Sequence, residues 1–271
     1  MNTVPKTVII TGASSGIGKA CAEEYAKRGA NLVLAARQYL VLCEIAQNLE
    51  VQFGINVLPV QCDVSKEEEC KHLIQQAVSI FKTIDVLVNN AGISMRALFN
   101  DLDLVVLKKL IDVNFWGMVY CTKYALPELL KSNGSVVGIS SGAAYHGFPG
   151  RTGYSASKFA LNGFLEALRI ENLKIGLHVL VAVPGFTASN IRYTALVKDG
   201  TQQGDTSMDE GKMMKPERVA QLLVEAINKR KRTLVITNQA KLMVLLDKIM
   251  PAWLDKLLYR HFTKEKDPLI V

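Results

Sequence analysis

No two of the five cysteines, Cys21, Cys43, Cys62, Cys70 and Cys121, stand in a CxxC spacing, and an odd number cannot all pair. A disulfide framework and a zinc site are therefore not expected, and a reducing, cytoplasmic setting fits. No apolar run is long enough to span a bilayer. The greasiest stretch, Leu242 to Phe262, is interrupted by Asp247, Lys248, Pro251, Asp255 and Lys256. The first strand-like run, Thr7–Thr11, lies so near Met1 that no cleaved signal peptide is expected ahead of it. Short-period repeats and low-complexity tracts are also missing. Acidic residues number 25 against 32 basic ones, giving a net charge of +7. Part of that excess is one run, Lys229–Arg232. No RNA- or DNA-binding signature accompanies it, so it reads as a solvated helix end and nucleic acid is not an expected partner.

What is present is a chain of 271 residues, 49% hydrophobic and 21% charged. That suits one α/β domain with a substantial core. Thr7–Thr11 reads as a strand, and a turn with glycines at 12, 16 and 18 follows it. Cys21, Ala22, Tyr25 and Ala26 then carry a helical period to about Gly29. Strand, glycine turn and helix form the context in which a glycine motif binds a dinucleotide. The glycines allow a tight turn and close approach, and the helix N-terminus offers free N–H groups to a pyrophosphate.

Asn31–Ala36 is the second predicted strand. An NAD site commonly ends this strand in Asp or Glu, about 20 residues past the glycines. Ala36 and Arg37 stand there instead, so nothing repels a 2′-phosphate and a guanidinium is available to pair with it. NADP(H) is the expected cofactor. Further predicted strands are Asn56–Gln61, Asp85–Asn89, Ser135–Ser141, Leu177–Val183 and Thr233–Thr237, with helices over Leu40–Phe53, Glu67–Phe81 (Ser65 as its N-cap), Leu102–Leu130 and Pro216–Lys229. Alternating βα units imply a doubly wound, Rossmann-type parallel sheet of seven strands with helices on both faces. In such sheets ligands bind beyond the carboxyl ends of the strands, where Gly12, Arg37, Asp63, Asn90 and Gly92 all fall.

Tyr154 and Lys158, four apart at a helix start, lie one turn from each other on the same face. A nearby ammonium favours the phenolate, so Lys158 is expected to lower the tyrosine's ordinary value near ~10 and make an acid–base group for a carbonyl or alcohol. Asn114, in the middle of a helical stretch, reads either as a satisfied core amide or as a break in the helical ladder that holds a water. His146, in the loop from Gly142 to Gly153, reads as a pocket-wall or surface residue. Residues 188–215 turn polar and are expected to form a lid over the site. The chain thus divides into a dinucleotide-binding and catalytic domain over 1–240 and a helical extension over 241–271. Leu242, Leu246, Ile249, Trp253 and Leu257 of the extension share one predicted helical face. An oligomer or core contact, a cap over an apolar substrate and a membrane-surface contact are its alternative uses.

Taken in order, TGASSGIG (Thr11 to Gly18), NNAG (Asn89 to Gly92), Asn114, Ser141, YSASK (Tyr154 to Lys158) and PGFT (Pro184 to Thr187) resemble the short-chain dehydrogenase/reductase family from Thr7 to about Thr237. The resemblance implies an NADP-dependent oxidoreductase acting on an alcohol or carbonyl. It assigns Tyr154 as the acid or base and Lys158 as the group that tunes it and holds the nicotinamide ribose. Ser141 is implied to bond the substrate oxygen, and Asn114 to position a water leading from Lys158 to solvent. Cofactor contacts are implied for Gly12, Ser14, Ser15, Gly16, Ile17, Gly18, Arg37, Asp63, Val64, Asn90, Ala91, Gly92, Tyr154, Lys158, Pro184, Gly185 and Thr187. The lid and tail add apolar surface around the expected site. This favours an apolar, lipid-like ketone such as a 3-ketosphinganine-type or steroid-type carbonyl, with a homodimer or homotetramer as the expected assembly. A 3-oxoacyl-(acyl carrier protein)-type reductase and a non-catalytic dinucleotide sensor on the same fold are the alternatives.

Overall fold

The computed structural model describes residues 5–206, 211, 213–264 and 268–270. Seven strands, β1 (Thr7–Thr11), β2 (Asn31–Ala36), β3 (Val57–Gln61), β4 (Val86–Asn89), β5 (Ser135–Ile139), β6 (His178–Val183) and β7 (Thr233–Val235), form one sheet in the order 3-2-1-4-5-6-7. Every pairing is parallel, with Thr11 opposite Ala35 and Val88 opposite Ile10. Parallel neighbours need a crossover, and helices supply it: α1 (Gly16–Ala26), α2 (Tyr39–Phe53), α3 (Glu67–Phe81), α4 (Leu104–Ile111), α5 (Gly117–Lys131), α6 (Thr152–Glu171) and α7 (Pro216–Asn228).

The strand interiors are mostly apolar on both faces because helices cover the sheet on both sides. Successive side chains point to opposite faces. Val8, Ile10, Leu32 and Leu34 accordingly join α1, α2 and α7 in one core cluster. Ile9, Val33, Ala35 and Leu87 join α3, α5 and α6 in the other. The fold is the doubly wound α/β sheet that the strand and helix pattern predicts. Its switch point lies between β1 and β4, whose neighbours diverge to the two edges.

Four local expectations need correction. The predicted helix over 102–130 is two helices, α4 and α5, joined by one π turn at Asp112–Trp116. Lys66, not Ser65, precedes α3; the Ser65 hydroxyl donates to Asp63 Oδ1 at 2.7 Å instead. The lid's Leu196 is buried and hydrogen-bonds on both sides of Met95, with Leu196 N–H to Ser94 O at 2.9 Å and Arg96 N–H to Leu196 O at 2.8 Å. That segment is anchored rather than free. Residues 207–210 and 212 of the predicted lid lie outside the described residues, as do 1–4 of the predicted domain and 265–267 and 271 of the extension.

The fourth correction concerns the tail. It forms a hairpin of α8 (Asn238–Ile249) and α9 (Pro251–Phe262), because Pro251 has no N–H to continue a helix and starts a new one. The single apolar face expected across the tail is therefore split. Leu242, Ile249, Trp253 and Leu257 are exposed, while Ala240 and Leu254 are buried. Among the described residues, no helix is long and apolar enough to cross a membrane.

Candidate active site

Thr11 ends β1 and organises the glycine turn. Its hydroxyl accepts from Asn90 N–H and Ala91 N–H, both at 3.0 Å, and donates to Val88 O at 3.4 Å. The Asn90 side chain returns the link, donating to Thr11 O at 2.9 Å and Gly12 O at 3.2 Å. The two predicted motifs are thereby joined across the switch point. Gly12 has φ +66°, and a Cβ there would stand 2.9 Å from both Ala91 Cα and Asn90 Nδ2. A Cβ on Gly18 would meet Gly12 O. Only glycine fits either place. Thr11 was not among the predicted site residues. Its signal was its place at the strand end, but which N–H groups it would serve depended on β4 arriving alongside. We expect Thr11→Val, which keeps the shape and removes the acceptor, to destabilise the protein by about 2–4 kcal/mol, since two N–H groups lose their partner. Urea unfolding measures it, and a loss under about 1 kcal/mol would remove Thr11 from this role.

The turn fits a dinucleotide on three observations. Ser15, which precedes α1, is extended and makes no side-chain cap bond, so the first N–H groups of α1 stay open to an anion. Gly16 is left-handed at φ +53°, turning the chain into the helix. Ser14, Ser15 and Ile17 stand on this turn. Arg37 is exposed past β2; its backbone carbonyl accepts from Gln61 Nε2 at 3.2 Å, its guanidinium makes no hydrogen bond or ion pair among the described residues, and its charge reaches Asp63 beyond β3. Burial alone would raise the Asp63 carboxyl, but bonds from the Ser65 hydroxyl and N–H, with Arg37 and Lys66 nearby, hold it below the usual range. Val64 is buried against Gly117, where a Cβ would fall 2.7 Å from Val64 Cγ2. On the opposite wall Pro184 and Thr187 are buried, and Gly185 is left-handed at φ +79° beneath Thr237.

Asn114 sits in the π turn, the sort of ladder break that often marks a functional position. Its Oδ1 accepts from Ile93 N–H at 2.8 Å, while Nδ2 donates to Ile93 O at 3.0 Å and to Ser157 Oγ at 2.9 Å. The amide is satisfied, as the first reading has it, and it stands where the α ladder gives way to a π turn. A Cβ on Gly92 would come within 3.1 Å of Asn114 Oδ1 and 3.6 Å of Lys158 Nζ, so NNAG and the lysine converge here.

Tyr154 and Lys158 lie near the start of α6. The Tyr154 hydroxyl lies near the side chain of Ser141, which follows β5 and whose Oγ accepts from Ala143 N–H at 3.2 Å. Lys158 Nζ stands 5.8 Å from the centre of the tyrosine ring and donates to Ile139 O at 2.8 Å. Tyr154, Ser141, Lys158 and Asn114 thus gather at one place, past the carboxyl ends of β4 and β5.

The electrostatics differ from expectation. Burial pushes the Tyr154 hydroxyl above its ordinary value; the Ser141 bond and the Arg151 charge pull it back only in part. Lys158 does not supply the lowering. It is itself nearly fully buried, which drops it from 10.5 to about 8. The ammonium points at a carbonyl, and the cost of desolvation outweighs its pull on the phenol. Arg151, which sequence reasoning missed, reaches Ser94 Oγ at 3.0 Å and Met95 O.

Residues 6–198 match the family model described as short chain dehydrogenase. The chain is 43% identical over 191 residues to 11-beta-hydroxysteroid dehydrogenase 1A of Arabidopsis thaliana, covering 70% of this chain and 54% of that protein. It thus spans about half the length of that relative. It is 36% identical over 252 residues to 11-beta-hydroxysteroid dehydrogenase-like 6 of the same plant, covering 90% and 73%. Among solved structures it resembles an alcohol dehydrogenase of the archaeon Thermococcus sibiricus complexed with 5-hydroxy-NADP, with TM-score 0.73, 26% identity, and 85% and 95% of the two chains covered. Motifs, sheet order and the matched residues agree, and the chain belongs to the short-chain dehydrogenase family.

Proposed function

We propose that the protein is an NADPH-dependent oxidoreductase that reduces an apolar, lipid-like ketone of the steroid or long-chain type to a secondary alcohol. The observation that carries this reading is the gathering of Tyr154, Ser141 and Asn114 around buried Lys158 past the ends of β4 and β5, next to the glycine turn. Burial keeps the phenol protonated at neutral pH, which suits donation to a carbonyl oxygen rather than proton removal. Ser141, whose oxygen accepts from Ala143 N–H, keeps its own proton to offer the same oxygen as negative charge grows there. The bound nicotinamide supplies the hydride to the carbonyl carbon, and Tyr154 supplies the proton to its oxygen. Lys158, set at about 8, stands ready to donate toward the spent phenolate, and Asn114 fixes the turn behind it.

Gly12, Gly16 and the open start of α1 are proposed to hold the pyrophosphate, and Arg37 the 2′-phosphate. The relative solved with 5-hydroxy-NADP supports a phosphorylated dinucleotide. The relatives named hydroxysteroid dehydrogenases support the steroid-type ketone. Self-association is proposed through α5 and α6. Trp116, the last residue of the π turn before α5, and Phe159 of α6 are 42% and 46% exposed there, and Trp116 stacks on Tyr120 of α5 at 5.5 Å. The reading is tested by NADPH absorbance loss with a panel of steroid and long-chain ketones, and reduction of none of them would overturn it. Arg37→Ala is expected to weaken NADPH about 10–100-fold, the worth of one or two charged hydrogen bonds, and NADH by less than about twofold. An equal loss for both cofactors would make Arg37 structural.

A further inference from the structure

The loop from Gly142 to Gly150 leads from Ser141 toward Tyr154, and the tail meets it at four points. A Cβ on Gly142 would sit 2.6 Å from Met243 Cε, so this methionine of α8 lies directly on the residue after Ser141. His146 Nδ1 is 2.9 Å from Asp247 Oδ1, and its Nε2 is 3.0 Å from Asp255 Oδ1. Phe148 packs on Phe262 with ring centres 5.8 Å apart. A Cβ on Gly150 would meet Leu269.

The middle contact differs from the others in kind. Asp247 comes from α8 and Asp255 from α9, so one imidazole ties both arms of the hairpin to the loop. An ionised carboxylate only accepts hydrogen bonds, and an imidazole nitrogen that carries a proton donates one, so each ring nitrogen of His146 is placed to bond a carboxylate of a different arm. The two bonds are unequal. The His146 and Asp247 side chains are 11% and 26% exposed, and Asp255 is 70% exposed. Water screens the second pair, so Asp247 carries most of the tie. Apolar packing alone leaves the hairpin weakly held: only Ala240 and Leu254 of its two helices are buried hydrophobics.

We propose that His146 is a positioning residue that clasps the C-terminal hairpin over the loop after Ser141, making Met243 the wall that selects the size of the ketone. This rests on the reductase reading above, but the clasp has a readout free of turnover. In the full chain, hydrogen exchange over 142–150 and 238–249 is expected to quicken at least tenfold in His146→Phe, which keeps a ring and removes both ring nitrogens. Exchange in β1 and α1 should not change, nor should NADPH affinity beyond twofold. Asp247→Asn is expected to follow His146→Phe, and Asp255→Asn to fall nearer the wild type. Met243→Ala is expected to shift the kcat/KM ratio of a bulky to a small apolar ketone at least fivefold, chiefly through KM. Exchange within twofold of wild type in both His146→Phe and Asp247→Asn would overturn the clasp. A selectivity ratio unmoved by Met243→Ala would overturn the wall. If the wild type turned over no ketone, the reductase reading and the wall would fall together, and exchange alone would decide the clasp.

Discussion

Tyr154→Phe is expected to lower ketone reduction by about a thousandfold or more while leaving NADPH binding within twofold. The phenol is the proposed source of the proton, and a positioned acid contributes roughly 10²–10⁴ in rate. Phe keeps the ring, which packs beside the apolar cluster of Met95, Ala97, Leu102, Val106, Leu110 and Leu196. Stability should therefore change little, and the loss belongs to chemistry rather than folding. Stopped-flow NADPH oxidation and fluorescence titration of NADPH separate the two. Turnover equal to the wild type would take the proton away from Tyr154. Ser141→Ala is the companion: it removes the other proposed bond to the substrate oxygen and the neighbour that pulls the phenol's pKa down.

Lys158→Met is expected to abolish most turnover, about a hundredfold or more, and to change how stability depends on pH. Burial lowers this amine from 10.5 to about 8 in the folded chain. Below pH 8 the folded and unfolded states both carry the proton, and the folded state bears the full desolvation cost. Between about 8 and 10.5 the folded state releases the proton while the unfolded state keeps it, so stability gained from this residue rises with pH. Above 10.5 the difference is constant. Between pH 7 and pH 10 the wild type should gain about 2–3 kcal/mol relative to Lys158→Met, from the size of the shift. Urea melts at both pH values measure it. A stability gap independent of pH would mean that the lysine is not desolvated in the folded chain. Met leaves Ile139 O without its donor, which offsets part of the relief at low pH; the slope with pH is therefore the cleaner observable than the sign at pH 7.

Apolar runs broken by glycine, proline and polar clusters were enough to place the parallel doubly wound sheet and its seven strands. Each depends on contacts near in sequence: two-residue alternation in strands, a 3.6-residue period in helices, and glycines that only a tight turn can use. Gly12, Gly16, Gly18, Tyr154 and Lys158 stood out as candidates by their spacing, while Ser141 and Asn114 took their roles from the family resemblance. What the phenol's surroundings do to its proton was not legible. The four-residue spacing of Tyr154 and Lys158 suggested an ammonium acting on a phenol. Only the packed interior decided that the ammonium is buried against Ile139 O and that Ser141 and Arg151 act on the phenol instead. Desolvation depends on every atom within reach, and a sequence window does not contain them. The same reason hid Thr11 beneath Asn90 and Ala91, and His146 between Asp247 and Asp255, partners 101 and 109 residues away. The sequence alone determined which elements form and which residues are candidates for chemistry; the tertiary structure decided who touches whom across the sheet and the tail, because those contacts join residues far apart in the chain.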